Sequence, residues 1–163
     1  MEITRKGTPF KVEGTQPAVG EQAPDFSVKN LKDETIELKQ FNGKVVLISV
    51  VPDIDTRVCA VQTKAFNSAA SAIEGVQLMT ISTNTKEQQE NWCAGEGIEM
   101  EMLHDTDASF GKAYGLFVPE MNVLARSVFV IDASGKLIYK EIVSEMVDEP
   151  NYDKAIEVAK AAR

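Results

Sequence analysis

The fold is decided by one stretch of sequence, Val45-Val-Leu-Ile-Ser-Val-Val-Pro-Asp-Ile-Asp-Thr-Arg-Val-Cys59. Its first seven residues are mostly apolar and β-branched, which is typical of a central strand covered on both faces. Pro52 ends this strand, and apolar residues between Val58 and Ile73 then recur at helical spacing until Gly75. The stretch therefore predicts a strand, a tight loop and a helix that begins near Thr56.

The rest of the chain continues this alternation of strands and helices. Residues 76–81 and 127–131 read as further strands, and residues 137–143 as a last strand joined to the previous one by a turn at 132–135. We predict helices over 86–94, ended by Gly95, over 108–114, and from about Pro150. The pattern predicts an α/β protein with a thioredoxin-like fold, in which helices flank a mixed central sheet.

The first forty or so residues read as an added segment. Within it, residues 3–12 predict a β-hairpin around Gly7-Thr-Pro9. The predicted fold class thus includes an N-terminal β-hairpin extension.

Length and composition exclude several classes of protein. The chain has 163 residues, 44% of them hydrophobic, which predicts one folded domain over residues 1–163. A net charge of −8 disfavours binding to nucleic acid or to an anionic membrane. The amino-terminal residues lack the apolar core of a secretory signal, so we expect a cytoplasmic protein. Two cysteines and one histidine, far apart in sequence, do not match the spacing of a zinc site.

Cys59 is the best candidate for a reactive group. It follows the central strand at the start of a helix, where α/β sheets commonly build their sites. If Thr56 caps the helix, its hydroxyl accepts a hydrogen bond from the Cys59 amide. Unpaired helix amides and a nearby cation favour the reactive thiolate over the thiol. Arg126 and Arg57 are the candidate cations, and Arg126, at the entry to a neighbouring strand, is the better one.

A thiolate in such a site is suited to attack an O–O bond, which leaves a sulfenic acid on the cysteine. A second thiol can then condense with the sulfenic acid to form a disulfide, and Cys93 is available on the next predicted helix. Because a disulfide needs Cα atoms within about 7 Å, we expect one helix to loosen before Cys59 and Cys93 meet. The competing interpretation is that both cysteines are simply small buried residues.

These motifs resemble a known family. Pro52, Thr56 and Cys59 match the Pro-x-x-x-Thr-x-x-Cys signature of peroxiredoxins, and the sequence around them resembles the thiol peroxidase branch. Residues 124–132 and 139–145 are similar to that branch, as is Trp92-Cys93. The resemblance extends from about Gly20 to the carboxyl end.

The resemblance implies a role for each matching residue. Cys59 would be the peroxidatic cysteine and Cys93 the resolving cysteine, joined in a disulfide during the cycle. Thr56 and Arg126 would hold the thiolate and the peroxide, and Pro52 would shield the pocket. The family also implies a homodimer, reduction by thioredoxin, and no cofactor. Residues 82–91 depart from the Ala-Asp-Leu-Pro-Phe-Ala type of stretch that is usual in this branch.

Two other functions compete with a peroxidase. A cysteine hydrolase would need His104 as the base for Cys59, whereas a turn or surface role is more common for such a histidine. A redox sensor would use the two cysteines to switch a partner surface without turnover. A protein thiol–disulfide oxidoreductase is disfavoured, since the helix start carries no CxxC. We expect Asp53 and Asp55 to serve turns and capping.

Overall fold

A computed structural model describes residues 1–70, 73–98 and 100–163. The strands in chain order are β1 (Glu2–Arg5), β2 (Thr8–Lys11), β3 (Ser27–Asn30), β4 (Thr35–Glu37), β5 (Val45–Val50), β6 (Val76–Ser82), β7 (Met102–His104), β8 (Phe117–Val118), β9 (Val123–Leu124), β10 (Ser127–Ile131) and β11 (Leu137–Ile142). The helices are α1 (Arg57–Ala70), α2 (Lys86–Glu96), α3 (Ser109–Ala113) and α4 (Tyr152–Ala162), with a 3-10 turn at Leu38–Phe41.

Seven strands of the described residues form one central mixed sheet, in the order β11-β10-β5-β6-β7-β3-β4. Strands β5, β6 and β7 run parallel, while the pairs on either side of them are antiparallel. The predicted mixed sheet with a closing antiparallel hairpin, β10 and β11, is confirmed. Because β5 is an inner strand, the loop that follows it lies near the middle of the sheet, at the carboxyl end of the parallel strands.

Strand β5 is buried along its whole length because it faces a core on each side. Val45 and Leu47 belong to one apolar cluster, which Phe66 of α1 and two alanines of α4 complete. Val46, Ile48 and Val50 point into the larger cluster on the opposite face, together with aromatic side chains of α3 and the residue after it. This alternation explains why the strand reads as a continuous apolar run rather than as an amphipathic one.

Several predicted boundaries are wrong in detail. Residues 27–37 form β3 and β4 on the edge of the main sheet, so the first forty residues are not simply an added segment. The predicted N-terminal hairpin is confirmed, but its turn lies at Lys6-Gly7, both with positive φ, and Pro9 belongs to β2. Helix α2 continues past Gly95 to Glu96, and Gly97, with its left-handed backbone (φ 67°), forms the C-cap.

Helix α1 is observed to Ala70, and the predicted helical residues 71 and 72 lie outside the described part of the chain. In that described part, no helix has the length and apolar character that crossing a membrane requires.

Candidate active site

Cys59 lies in the first turn of α1, at the carboxyl end of the central strand β5. Its side chain has no exposed surface (0%), and it belongs to a small apolar cluster with Val51, Ile54, Trp92 and Met102. The β5–loop–α1 prediction is therefore confirmed, and Cys59 lies where the parallel part of the sheet ends. A polar or charged partner reaching this sulfur must do so in a water-poor environment.

Arg126 reaches the sulfur from the residue immediately before β10. Its Nη2 donates to Cys59 Sγ at 3.3 Å, its Nη1 donates to Gln62 Oε1 at 3.0 Å, and its Nε donates to the carbonyl of Met146 at 2.9 Å. The side chain is 2% exposed. Of the two candidate cations, Arg126 is thus the one in contact with Cys59, whereas Arg57 is exposed.

Gln62 fixes the guanidinium from the helix side, and it was not among the site residues predicted from the sequence. Its amide nitrogen donates to Ser49 Oγ (2.9 Å) and to the carbonyl of Val50 (3.2 Å), which leaves its oxygen free to accept from Arg126. Its spacing of one helical turn from Cys59 can be read from the sequence, but its burial depends on the packing of α1 against β5. A buried glutamine side chain in that position needs hydrogen-bond partners.

The guanidinium has an unusual charge environment. No carboxylate of the described residues forms an ion pair with Arg126. A buried cation without a counter-charge is costly, and an anion at Cys59 Sγ would supply that charge at hydrogen-bond distance. The guanidinium would therefore stabilise negative charge on the Cys59 sulfur through a charge-assisted hydrogen bond.

A cleft of about 660 Å³ opens beside Arg126. Pro52, Thr56 and Arg126 line it, together with Val58, Val123 and other apolar side chains. The resemblance assigned the first three residues to one pocket, and the structure does bring them together at its wall. Cys59 is not itself exposed there, so a small molecule in the cleft meets Arg126 and Thr56 before the sulfur.

The expected capping bond of Thr56 is not formed. Its hydroxyl donates to the carbonyl of Asp53 at 2.9 Å, and its own carbonyl accepts from the amide of Ala60. The side chain of Asp53 in turn accepts from the amide of Asp55 at 3.1 Å. The expected turn role is confirmed for Asp53, and the hydroxyl of Thr56, exposed in the cleft, retains its lone pairs for another donor.

Positive charge collects at the cleft in spite of the net charge of −8. Arg5, Lys6 and Arg57 line it along with Arg126, and Asp53 is the acidic residue among the lining side chains. Arg5 and Lys6 come from the N-terminal hairpin, which Glu145 fastens beside the site. The Glu145 carboxylate accepts from the amides of Gly7 (2.9 Å) and Lys6 (3.0 Å).

Cys93 is a free thiol on α2 and is partly buried. It packs against the same apolar cluster that contains Cys59, and Trp92 of that cluster is its chain neighbour. Burial raises the pKa of the Cys93 thiol above its ordinary value. Helices α1 and α2 follow the adjacent parallel strands β5 and β6, and they therefore place both cysteines at the same apolar cluster.

His104 does not meet Cys59. It pairs with Ser82 in the sheet, its ring contacts the carbonyl of Asn30 at 3.2 Å, and it lines a different surface depression. A base for a cysteine hydrolase is therefore missing from the described residues around Cys59. Met121 lines the cleft, while Leu116 and Phe117 pack in the core.

The fold and the buried cysteine–arginine pair define a class of protein, a thioredoxin-like domain with its thiol in the first turn of a helix. The chain belongs to the AhpC/TSA family, whose sequence model matches residues 19–140. A thiol peroxidase of Bacillus subtilis is 48% identical over 162 residues, which are 98% of this chain and 97% of that protein. A thiol peroxidase of Listeria monocytogenes is 45% identical over 163 residues, 99% of each chain.

Solved structures agree with this assignment. A peroxiredoxin-like protein from Aquifex aeolicus superposes with a TM-score of 0.93 at 30% identity, covering 99% of this chain and 97% of that one. A thiol peroxidase from Chromobacterium violaceum gives a TM-score of 0.88 at 16% identity, covering 99% and 96%, which bears on the fold alone. The predicted thioredoxin-like fold and the resemblance to the thiol peroxidase branch are thus confirmed.

Proposed function

We propose that this protein is a thiol-dependent peroxidase that reduces hydrogen peroxide and organic hydroperoxides with Cys59 as the attacking group. The observation that carries the proposal is the contact of the Arg126 guanidinium with Cys59 Sγ at 3.3 Å, in a buried site where Arg126 has no carboxylate partner among the described residues. The family membership and the names of the relatives support the same activity.

The first step oxidises Cys59. Its thiolate sulfur attacks the terminal peroxide oxygen, and the S–O bond forms as the O–O bond breaks. The leaving alkoxide, or hydroxide when the substrate is hydrogen peroxide, takes up a proton from solvent to become an alcohol or water. Arg126 and the Thr56 hydroxyl at the cleft wall hold the two oxygens, and Pro52 keeps bulk water away. Charge that develops on the leaving oxygen lies beside a fixed cation, which lowers the barrier.

The second step uses Cys93. Its sulfur attacks the sulfenic sulfur of Cys59, the S–S bond forms as the S–O bond breaks, and the Cys93 proton leaves with the hydroxyl as water. A dithiol protein, which the resemblance suggests is thioredoxin, then reduces the disulfide by two electrons. We also propose a homodimer, a single domain over residues 1–163, and a cytoplasmic location where such a reductant is kept reduced.

The test is peroxide consumption with a thioredoxin reducing system. Native protein should turn over many times with both hydrogen peroxide and cumene hydroperoxide. Cys59→Ser should consume nothing, and Cys93→Ser should consume about one equivalent before it stops, since its sulfenic acid has no partner. If Cys93→Ser turned over like native protein, a different group would be resolving the sulfenic acid.

His104→Ala provides the control against a hydrolase. It should retain peroxide turnover, because His104 lies away from the site. A native protein that is oxidised once and never recycled by any dithiol donor would instead support a redox sensor.

A further inference from the structure

Asn84 connects the loop ahead of Cys59 to the helix that carries Cys93. Its Oδ1 accepts from the amide of Ile54 at 2.8 Å, and its Nδ2 donates to Asp53 Oδ1 at 3.0 Å and to Gln88 Oε1 at 3.3 Å. The side chain is only 9% exposed. One amide thus spans the start of α1 and the start of α2.

Both ends of this connection are themselves fixed. On the α2 side, Gln88 forms a capping box with Thr85, in which each side chain accepts from the backbone amide of the other residue. On the loop side, the Asp53 oxygen that accepts from Asn84 also accepts from the amide of Asp55. A movement of the amino-terminal end of α2 must therefore break the contacts of Asn84.

Disulfide formation requires the sulfurs of Cys59 and Cys93 to come within bonding distance, and the packing of α1 and α2 opposes the movement that this needs. In the reduced protein Cys59 Sγ is held by Arg126, and Cys93 lies two turns along α2 as a separate free thiol. Bonded sulfurs are about 2.05 Å apart and require specific Cβ positions, which two intact helices with their side chains packed into a shared core do not adopt freely.

We propose that Asn84 is a positioning residue that holds α2 closed against the Cys59 loop and so limits how fast Cys93 reaches the sulfenic acid. This inference rests on the proposed function. The segment 82–91, from the end of β6 into α2, supplies Asn84 and Gln88. A slower resolving step leaves the sulfenic acid exposed for longer to a second peroxide, which oxidises it to sulfinic acid.

The decisive variant is Asn84→Asp. Its carboxylate still accepts from the Ile54 amide, but it cannot donate, and it faces the carboxylate of Asp53. We expect disulfide formation to become about five- to tenfold faster, as the loss of one to two hydrogen bonds implies. The fraction of Cys59 sulfinic acid at a fixed peroxide excess should fall correspondingly.

Trp92 reports the two steps, since it is the only tryptophan of the chain and packs in the cluster with Cys59. Stopped-flow fluorescence separates an oxidation phase whose rate is proportional to peroxide from a resolving phase whose rate is not. Quenching and mass spectrometry assign the phases. Only the resolving phase is expected to accelerate in Asn84→Asp.

Two matched variants control for charge and for general destabilisation. Asn91→Asp makes the same chemical change on the exposed face of α2 and should resolve at the native rate. The double variant Asp53→Asn/Asn84→Asp exchanges donor and acceptor across the contact between these two side chains and should resolve more slowly than Asn84→Asp alone. If Asn84→Asp does not fold, as judged by thermal melting, Asp53→Ala removes the same contact from the loop side and takes its place.

An unchanged or slower resolving phase in Asn84→Asp would overturn the inference. Hydrogen exchange of the reduced protein tests, without peroxide, whether the hydrogen bonds of Asn84 hold α2 in place. The amides of α2 should exchange faster in Asn84→Asp than in Asn91→Asp. If native protein forms no Cys59–Cys93 disulfide while α2 exchange responds in this way, the proposed function fails, and so does the control of disulfide formation by Asn84. The hydrogen bonds of Asn84 then have a purely structural role.

Discussion

Arg126 offers all three of its buried donor groups to uncharged acceptors or to sulfur. The acceptors are the carbonyl of Met146, the side-chain amide of Gln62 and Cys59 Sγ. Of these three, only the sulfur could carry a negative charge to balance the guanidinium. In this arrangement the interaction is stronger with a thiolate than with a thiol, because only the thiolate brings a negative charge. The reactivity of Cys59 should therefore depend on the charge of Arg126 and on the geometry that Gln62 imposes.

Replacing Arg126 by Met tests this dependence. Methionine is apolar and long enough to occupy much of the same space, but it carries no charge. We expect the rate of Cys59 oxidation by peroxide to fall about 100-fold or more, which is the usual effect of removing a fixed electrostatic partner. Single-turnover fluorescence of Trp92 measures the rate. Arg57→Met, the same substitution at the other candidate cation, should reduce the rate far less, and equal losses would contradict the assignment.

The buried Cys93 thiol gives the resolving step its own pH dependence. Because burial raises the pKa of Cys93 above its ordinary value, the thiol is protonated at neutral pH and more of it ionises as pH increases. The thiolate is the attacking form, so the resolving phase should accelerate from pH 7 to pH 9 and beyond. Stopped-flow traces at fixed peroxide test this. A resolving phase independent of pH would mean that helix motion alone sets the rate.

At the scale of single residues, the sequence was most informative where a motif ties several positions together. Pro52, Thr56 and Cys59 follow one another within eight residues, and Arg126 precedes an unmistakable strand, so all four could be placed in advance. Gln62 could not, because a glutamine on a helix is usually exposed and only the packing of α1 against β5 shows that it is buried.

Helix α3 is an element that depends on one side chain. Asp105 lies ahead of it, and its carboxylate accepts from the amides of Phe110 (3.0 Å) and Gly111 (2.9 Å). Burial raises the pKa of Asp105, an effect that these backbone hydrogen bonds oppose. The amides of a short helix are satisfied here from outside, as helix starts require.

Asp105→Ala should lower the free energy of unfolding by about 2 kcal/mol, since two buried amides lose their acceptor. Urea denaturation followed by circular dichroism measures the change. Asp107→Ala is the matched control at the same turn, because Asp107 accepts from the amide of Ser109 in an exposed setting and should cost about 0.5 kcal/mol. Equal costs for the two variants would argue against burial as the cause.

Long, strongly patterned elements were predictable from sequence, and short edge elements were not. Strand β5 and helix α1 carry enough periodic apolar residues to identify them. Strands β3 and β4 have four and three residues, and Asp33, with φ of 61°, lies in the turn between them. Strand β3 pairs with β7, a contact distant in sequence that no local pattern contains, and β4 in turn pairs with β3.

Across the whole molecule, Glu145 connects the first residues of the chain to the active-site cleft. Besides the amides of Lys6 and Gly7, its carboxylate accepts from the Thr4 hydroxyl (3.0 Å) and from the amide of Val147 (3.1 Å). These hydrogen bonds, that from Gly7 first, lower the pKa of Glu145 to about 2. The neighbouring Met146 offers its carbonyl to Arg126, so hairpin and active site share one loop.

Glu145→Gln should free the hairpin, because an amide presents one acceptor oxygen where the carboxylate presents two. Limited trypsin digestion should then cut faster after Arg5, Lys6 and Lys11 than in native protein.

The lowered pKa of Glu145 also determines how the stability of the native protein changes in acid. A lowered pKa in the folded state means that the stabilising effect is present above about pH 4.5 and is lost as pH falls towards 2.

Glu141→Gln is the matched control, because Glu141 accepts from the amide of Asn151 and has no hydrogen bond to the hairpin in the described part of the chain. Equal trypsin sensitivity in Glu145→Gln and native protein would show that strand pairing alone holds the hairpin in place. The sequence indicated a hairpin but not its location against the site, since that location depends on a carboxylate more than 130 residues away.

The turn of the N-terminal hairpin and the carboxyl end of the chain lie at opposite ends of the parallel strands. Arg5 and Lys6, at the turn, line the cleft that follows the carboxyl end of β5, whereas Arg163 lies against Gly75, just before the amino end of β6. A polypeptide fused after Arg163 would therefore start away from the cleft. Affinity tags, surface immobilisation and fusion to a reductant are best made through the carboxyl end.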